Sequence, residues 1–197
     1  MNLDLQRELQ ALADRDENKR AELVARGELF DGYHAEMAAV HAANAEALER
    51  IIARWGWPGA SLVGESGANS AWLILQHAIG NPELQRRCLP LVQAAADAGE
   101  VPLRHAAFLE DRIRCFEGKP QRFGTQLDWD ENGLLSPMPL EDAEGGDRRR
   151  ADVGLEPLET RVNEARAEAC REGAEPPENP AEWRRRREAW ARSVGWR

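Results

Sequence analysis

The chain has 197 residues, enough for one main domain with a real hydrophobic core and too few for two large ones. A formal net charge of -9 repels polyanions, which excludes broad surface attraction to nucleic acid or to an anionic membrane. With 31% charged residues and a mean hydropathy of -0.63, some segment is expected to stay solvated, and the C-terminal quarter is the candidate.

Leu3, Leu5, Leu9, Leu12 and Leu23 recur at approximately helical spacing between Leu3 and about Ala25, with no Gly or Pro among them. This predicts a first helix with one buried face. Gly27 and Asp31-Gly32 break the pattern. A second helix then places Met37, His41, Asn44, Leu48, Ile51 and Trp55 on one stripe, and Trp55-Gly56-Trp57-Pro58-Gly59 ends it. Ser61 to Gly67 reads as a connector, with Ser66 or Asn69 available to cap a third helix. That helix is apolar almost all round through His77, and so is expected to be central. Asn81-Pro82-Glu83 starts a fourth helix with a Gly99 stop. Pro102 opens a fifth, which turns Ala106, Leu109, Ile113 and Phe116 inward until Gly118.

The texture changes at Gln121. Gln121 to Trp129 alternates as a short strand, Asp130 to Gly133 is a turn, and Leu134 to Met138 returns as the partner strand. Arg148 to Val153 is a short helix ending at Gly154, and Pro157 leads a polar helix through Ala169. Pro176 to Pro180 is a linker. The expected fold is therefore mainly α: an α-helical bundle with a small β-hairpin and a helical, Arg/Trp-rich C-terminal extension. Residues 1–158 form the helical domain, with the hairpin at about 121–138, and 159–197 form the extension, with its Pro-rich linker at 176–180.

Cys88, Cys115 and Cys170 are odd in number and form no CxxC pair, so neither a disulfide framework nor a cysteine zinc site is expected. Cys88 and Cys115 lie on apolar faces and read as buried, inert thiols. The first residues are charged, and no run approaches the roughly 20 apolar residues of a membrane span. These features predict a soluble, cytoplasmic protein without membrane contact.

Several motifs then stand in order: Gly56-Trp57-Pro58, Ala71-Trp72-Leu73, Gln76-His77-Ala78, Leu109-Glu110-Asp111-Arg112, Pro120-Gln121-Arg122-Phe123-Gly124-Thr125-Gln126 and Arg149-Arg150-Ala151-Asp152-Val153-Gly154-Leu155. On these the chain resembles an uncharacterised bacterial family, a domain of unknown function, over about Leu48 to Leu158. The resemblance implies no activity. Phe123 stands where that family commonly shows Tyr, which removes a phenol hydroxyl. Asn81 stands where an Asp is common, which removes a local carboxylate partner for His77. Asn44 matches a position often Asn or His in the family.

The chemistry rests on polar residues set in apolar segments, since a buried polar group costs free energy unless it is paired. His77 is the expected proton exchanger, because imidazole changes charge near neutral pH. Asp111 orients it or accepts charge, and Arg112 binds an anionic substrate group, although adjacent helix positions point about 100° apart and one of the two is expected to hold the hairpin instead. Asn44, Gln76, Gln121, Thr125 and Gln126 offer amide and hydroxyl groups that position a ligand or clamp the hairpin. Metal binding through His34, His41 and His77 together needs a coincidence of packing, and no HExxH motif is present, so no metal and no cofactor are expected. His105 is expected to be exposed.

These residues predict a small-molecule or peptide binding protein, with metal-independent acid/base catalysis in a polar cleft around His77. The rival is a non-enzymatic protein-interaction module. Trp183 to Trp190, with Arg192, Trp196 and Arg197, combines basic charge with aromatic faces. That composition suits nucleic acid, but the acidic balance of the whole chain favours docking on its own domain or on a protein partner.

Overall fold

A computed structural model describes residues 1–29 and 32–197. Asp31, half of the expected Asp31-Gly32 break, lies outside the described residues. The described residues form eight helices and one antiparallel hairpin, as the mainly α reading requires. They pack as two compact units, 1–106 and 107–197, and the division falls inside the fifth helix.

The first unit is built on α1 (Leu3–Ala25), α2 (Ala35–Trp55), α3 (Ala60–His77) and α4 (Pro82–Asp97). Asn2 caps α1 by accepting the Leu5 N–H at 3.1 Å, satisfying one of the donors that a helix start leaves open. The stripe Leu5, Leu9, Leu12, Asp16 and Leu23 is buried. The α2 stripe is buried from Met37 to Ile51, but Trp55 is 44% exposed and carries the Arg54 guanidinium 4.8 Å over its ring. Leu9, Leu23, Leu48, Leu75 and Leu84 are fully buried. Each such side chain stabilises the core by roughly 1.5–3 kcal/mol.

Residues 61–67 are not the expected connector. They lie within α3, and the Ser/Gly texture marks a break at Gly64, with φ 71° and ψ 166°, after which the helix resumes. Gly67 lets α1 come close: a Cβ there would stand 3.3 Å from Gln6 Cγ. α3 packs against α1, α2 and α4, which makes it the central helix of its unit. Asn81 caps α4 through its side chain, with Pro82 in the first turn, and Gly99 takes the left-handed conformation after the helix ends.

α5 (Leu103–Phe116) crosses into the second unit, which continues with β1 (Leu127–Trp129), β2 (Leu135–Pro137), α6 (Gly146–Asp152), α7 (Leu158–Glu172) and α8 (Pro180–Ser193). The strand expected from Gln121 begins only at Leu127. Arg122, Phe123 and Thr125 spend their backbone N–H groups on the Asp111 carboxylate instead of on a ladder. β1 and β2 pair antiparallel, with Leu127 opposite Pro137 and Trp129 opposite Leu135.

The Arg/Trp-rich α8 is largely solvated, yet it is tied to its own unit. Trp183 and Arg187 both donate to Asp128, Trp196 stacks on Phe116 with ring centroids 5.0 Å apart, and Arg197 donates to the Phe116 carbonyl at 2.8 Å. No described helix is long and apolar enough to cross a membrane.

Candidate functional site

In the first unit a polar cluster forms where three helices each contribute a side chain from an apolar stripe. Asp16 comes from α1, His41 from α2, and His77 is the last residue of α3. Asp16 Oδ2 lies 2.9 Å from His77 Nδ1 and 3.2 Å from His41 Nε2. The two imidazole centroids are 5.1 Å apart. Behind them the Tyr33 hydroxyl meets His41 Nδ1 at 2.8 Å, and its ring stacks on the imidazole. The Asp16 side chain is 1% exposed, His41 10% and His77 30%, so the cluster is reached from the His77 side.

Burial pushes the Asp16 carboxyl up, since a buried anion loses its hydration. The close polar contacts and charge of His41 and His77 outweigh that and hold it well below the usual carboxylate range. Asp16 is therefore an anion at neutral pH. Burial and, after it, the Asp16 charge push the Tyr33 phenol up, so it stays protonated. A neutral His77 ring that donates Nδ1–H to Asp16 keeps its lone pair on Nε2, which is the arrangement of a carboxylate-oriented general base.

Asn44 sits one turn beyond His41, is 1% exposed, and donates to the Leu12 carbonyl at 2.9 Å. Its Oδ1 is buried without a hydrogen-bond partner, as is Asp16 Oδ1. Gln76 is 2% exposed and neither end of its amide is satisfied, although its backbone carbonyl and that of Leu75 accept from Gln85 Nε2. His34 does not join its fellow histidines: it caps α2 through Nδ1 and lies 3.7 Å from Glu28. His105 is not exposed but 4% accessible, stacked on Trp72 with centroids 4.1 Å apart.

The remaining candidates belong to the second unit, where they are largely committed to one loop. Asp111 accepts the backbone N–H groups of Arg122, Phe123 and Thr125 and the Thr125 hydroxyl, at 2.7–3.1 Å. Gln121 donates to the carbonyls of Gln126 and Met138 and accepts the Gln126 N–H. Gln126 in turn donates to the Thr125 hydroxyl. Arg149 and Arg150 take the loop's carbonyls, at Arg122 and Phe123. The motifs around Asp111, Gln121 and Arg149 are thus one interlocked structure. Arg112 stands apart: its Nε is buried without a partner, and burial pulls its guanidinium down to about 10.

Sequence reasoning missed Asp16 and Tyr33. Asp16 carried a readable signal, because it continues the spacing of Leu5, Leu9 and Leu12 and so had to face inward. Tyr33 carried none.

Among the described residues, two groups have the donor atoms for a metal ion: Asp16, His41 and His77, and the more exposed Glu28, His34 and Glu36. In the second, Glu36 already pairs with Lys19 and Arg26, and Glu28 with Arg26. A groove of about 510 Å³ is lined by Ala11, Asp14, Arg15, Asn18, Lys19, Glu22 and Val40, none of them a candidate residue.

Fold and site together define a mainly α-helical protein with a hairpin and a buried carboxylate-imidazole centre. The chain belongs to a family of unknown function, DUF6624, whose sequence model matches residues 3–168. No curated protein and no solved structure matches it.

Proposed function

We propose that the chain is a small-molecule or peptide binding protein that acts on its ligand by acid/base chemistry at His77. The observation that carries this reading is the 2.9 Å contact between His77 Nδ1 and a fully buried Asp16, with the imidazole itself partly exposed. Asp16 takes the orienting role, and His41 and Tyr33 pack behind it. Arg112 keeps a separate role as an anion-binding group, since its Nε is buried without a hydrogen-bond partner. A cytoplasmic setting belongs to the same reading, supported by three cysteines with no disulfide.

The test compares the unmodified chain with His77→Gln and Asp16→Asn across a panel of anionic and neutral metabolites, reading both melting temperature and turnover. A compound that stabilises and is converted by the unmodified chain, but not by His77→Gln, supports the reading. Equal binding and turnover by both proteins sinks it.

The second reading is a non-enzymatic interaction module. It is favoured by the commitment of Asp111, Gln121, Thr125 and Gln126 to the loop they hold. It predicts that His77→Gln changes stability alone, with no ligand response lost.

A further inference from the structure

Three donor atoms converge in the first unit: a carboxylate oxygen of Asp16, His41 Nε2 and His77 Nδ1, all within 4.8 Å of one another. The distances from Asp16 Oδ2 are 2.9 Å to His77 and 3.2 Å to His41. Ligands held about 2.0–2.1 Å from one ion stand roughly 2.9–3.4 Å apart for coordination angles between octahedral and tetrahedral. Both separations fall in that range.

Direction adds a second constraint. His41 Nε2 is close enough to Asp16 Oδ2 to hydrogen-bond, yet it has no hydrogen-bond partner, because the ring N–H axis misses the oxygen. A misdirected N–H gains little. Coordination, by contrast, requires a lone pair aimed at an ion beside the oxygen and not at the oxygen itself. The Tyr33 hydroxyl, 2.8 Å from His41 Nδ1, can accept that nitrogen's proton, and the tautomer in which it does so carries the lone pair on Nε2.

The third observation is a pair of buried acceptors left without partners. Asp16 is 1% exposed, and among the described residues its ion-pair partners are the two histidines. Asp16 Oδ1 and Asn44 Oδ1 are both buried and without hydrogen-bond partners. A buried acceptor left unsatisfied costs free energy, which a positive group in the cluster offsets.

We propose that Asp16, His41 and His77 form a binding site for one divalent transition-metal ion of the zinc class, with two imidazole nitrogens and one carboxylate oxygen as the protein ligands. Mixed nitrogen and oxygen donors select against magnesium and calcium, which favour all-oxygen shells. Three protein ligands leave a coordination position open, as in reactive and not merely structural sites. The proposal rests on the reading of this cluster as the working centre. It changes how His77 serves there: Nδ1 is a ligand in the loaded protein and the proton donor to Asp16 in the metal-free one.

The experiment titrates the full chain, first stripped with a chelator, with cobalt(II) and then zinc(II). The readouts are cobalt's visible absorption and equilibrium dialysis. The expected result is one equivalent bound, with affinity falling at least tenfold in His41→Ala, in His77→Ala and in Asp16→Asn. Tyr33→Phe weakens binding about tenfold through the orientation of His41. His34→Ala binds like the unmodified chain, which separates this site from the Glu28, His34 and Glu36 group.

Should an alanine variant fail to fold, cobalt-shifted ring-proton resonances of His41 and His77 in the unmodified chain make the same assignment. Failure of the unmodified chain to bind at millimolar metal, binding undiminished in the His41 and His77 variants, or binding lost in His34→Ala each overturns the proposal. If no metal binds but His77→Gln still abolishes a ligand response, the metal falls and the acid/base reading stands. If metal binds as expected and His77→Gln leaves ligand binding and turnover untouched, the reverse holds.

Discussion

Thr125 gives Asp111 both its backbone N–H and its hydroxyl, each 3.0 Å from the same carboxylate oxygen. With the N–H groups of Arg122 and Phe123 on the same carboxylate, one side chain shapes the 122–125 segment. Asp111→Ala leaves these donors facing a void. It should cost about 3 kcal/mol, and Asp111→Asn, which keeps one acceptor, about half as much. Denaturant titration gives the magnitudes. Hydrogen exchange should show protection lost first at the amides of Arg122, Phe123 and Thr125, and unchanged protection there would contradict the assignment.

Gly124 has φ of +71°, and a Cβ on it would stand 2.8 Å from Leu158 Cδ1. Gly124→Ala therefore combines left-handed strain with a clash, at a cost of about 1–3 kcal/mol. Shortening the neighbour in a Gly124→Ala/Leu158→Ala pair removes the clash but not the strain. The double-mutant cycle should show a coupling of about 0.5–1 kcal/mol. Strict additivity would mean that the contact is not what limits position 124.

His105 gives the first unit a pH-dependent stability. Burial, and after it the charge of Arg104, pulls its imidazole down to about 4 from an ordinary 6.5. Between those two values the unfolded chain binds a proton that the folded chain refuses. Stability therefore rises as pH rises from about 4 to 6.5 and is flat above that range. Allowing for solvent screening, the change is on the order of 1–2 kcal/mol. Asp16 acts in a separate window with the opposite cause: its carboxyl is lowered, so its contribution is lost only as pH falls below about 3.8. Thermal melts of the unmodified chain and His105→Phe from pH 4 to 7 should differ in slope, and parallel curves would refute the account.

Thiol reactivity should sort the cysteines. Burial pushes Cys88 up to about 11 and Cys115 up to about 12, whereas Cys170 is exposed. A disulfide reagent added to the native chain at pH 8 should consume one thiol rapidly and the other two only on unfolding. Rapid reaction of two or three would show that the apolar faces around Cys88 and Cys115 open readily.

Much of the helical frame was legible because its signals are local. The leucine spacing gave α1 from Leu3 to Ala25, and Pro82 with Gly99 bracketed α4. Two local signals misled. Ser61 to Gly67 has a loop's composition but folds as helix, because small residues there admit α1 and a single glycine absorbs the break. Gln121 to Gln126 alternates like a strand, but the Asp111 carboxylate captures the N–H groups that a ladder needs. The centre was half legible. His77 and Asn44 stand out as polar residues on apolar stripes, whereas the partner of His77 is 61 residues away, and only tertiary packing brings it there.

Asp16, His41 and His77 are also the point where α1, α2 and α3 are cross-braced, one side chain from each. Anything that binds at this joint adds its binding free energy to the cohesion of three helices. A ligand at a hundred times its Kd contributes about 2.7 kcal/mol to the folded state. Heat resistance of the protein in cell extract, measured as extract fractions are added back, thus becomes a way to find its natural ligand before any reaction is known.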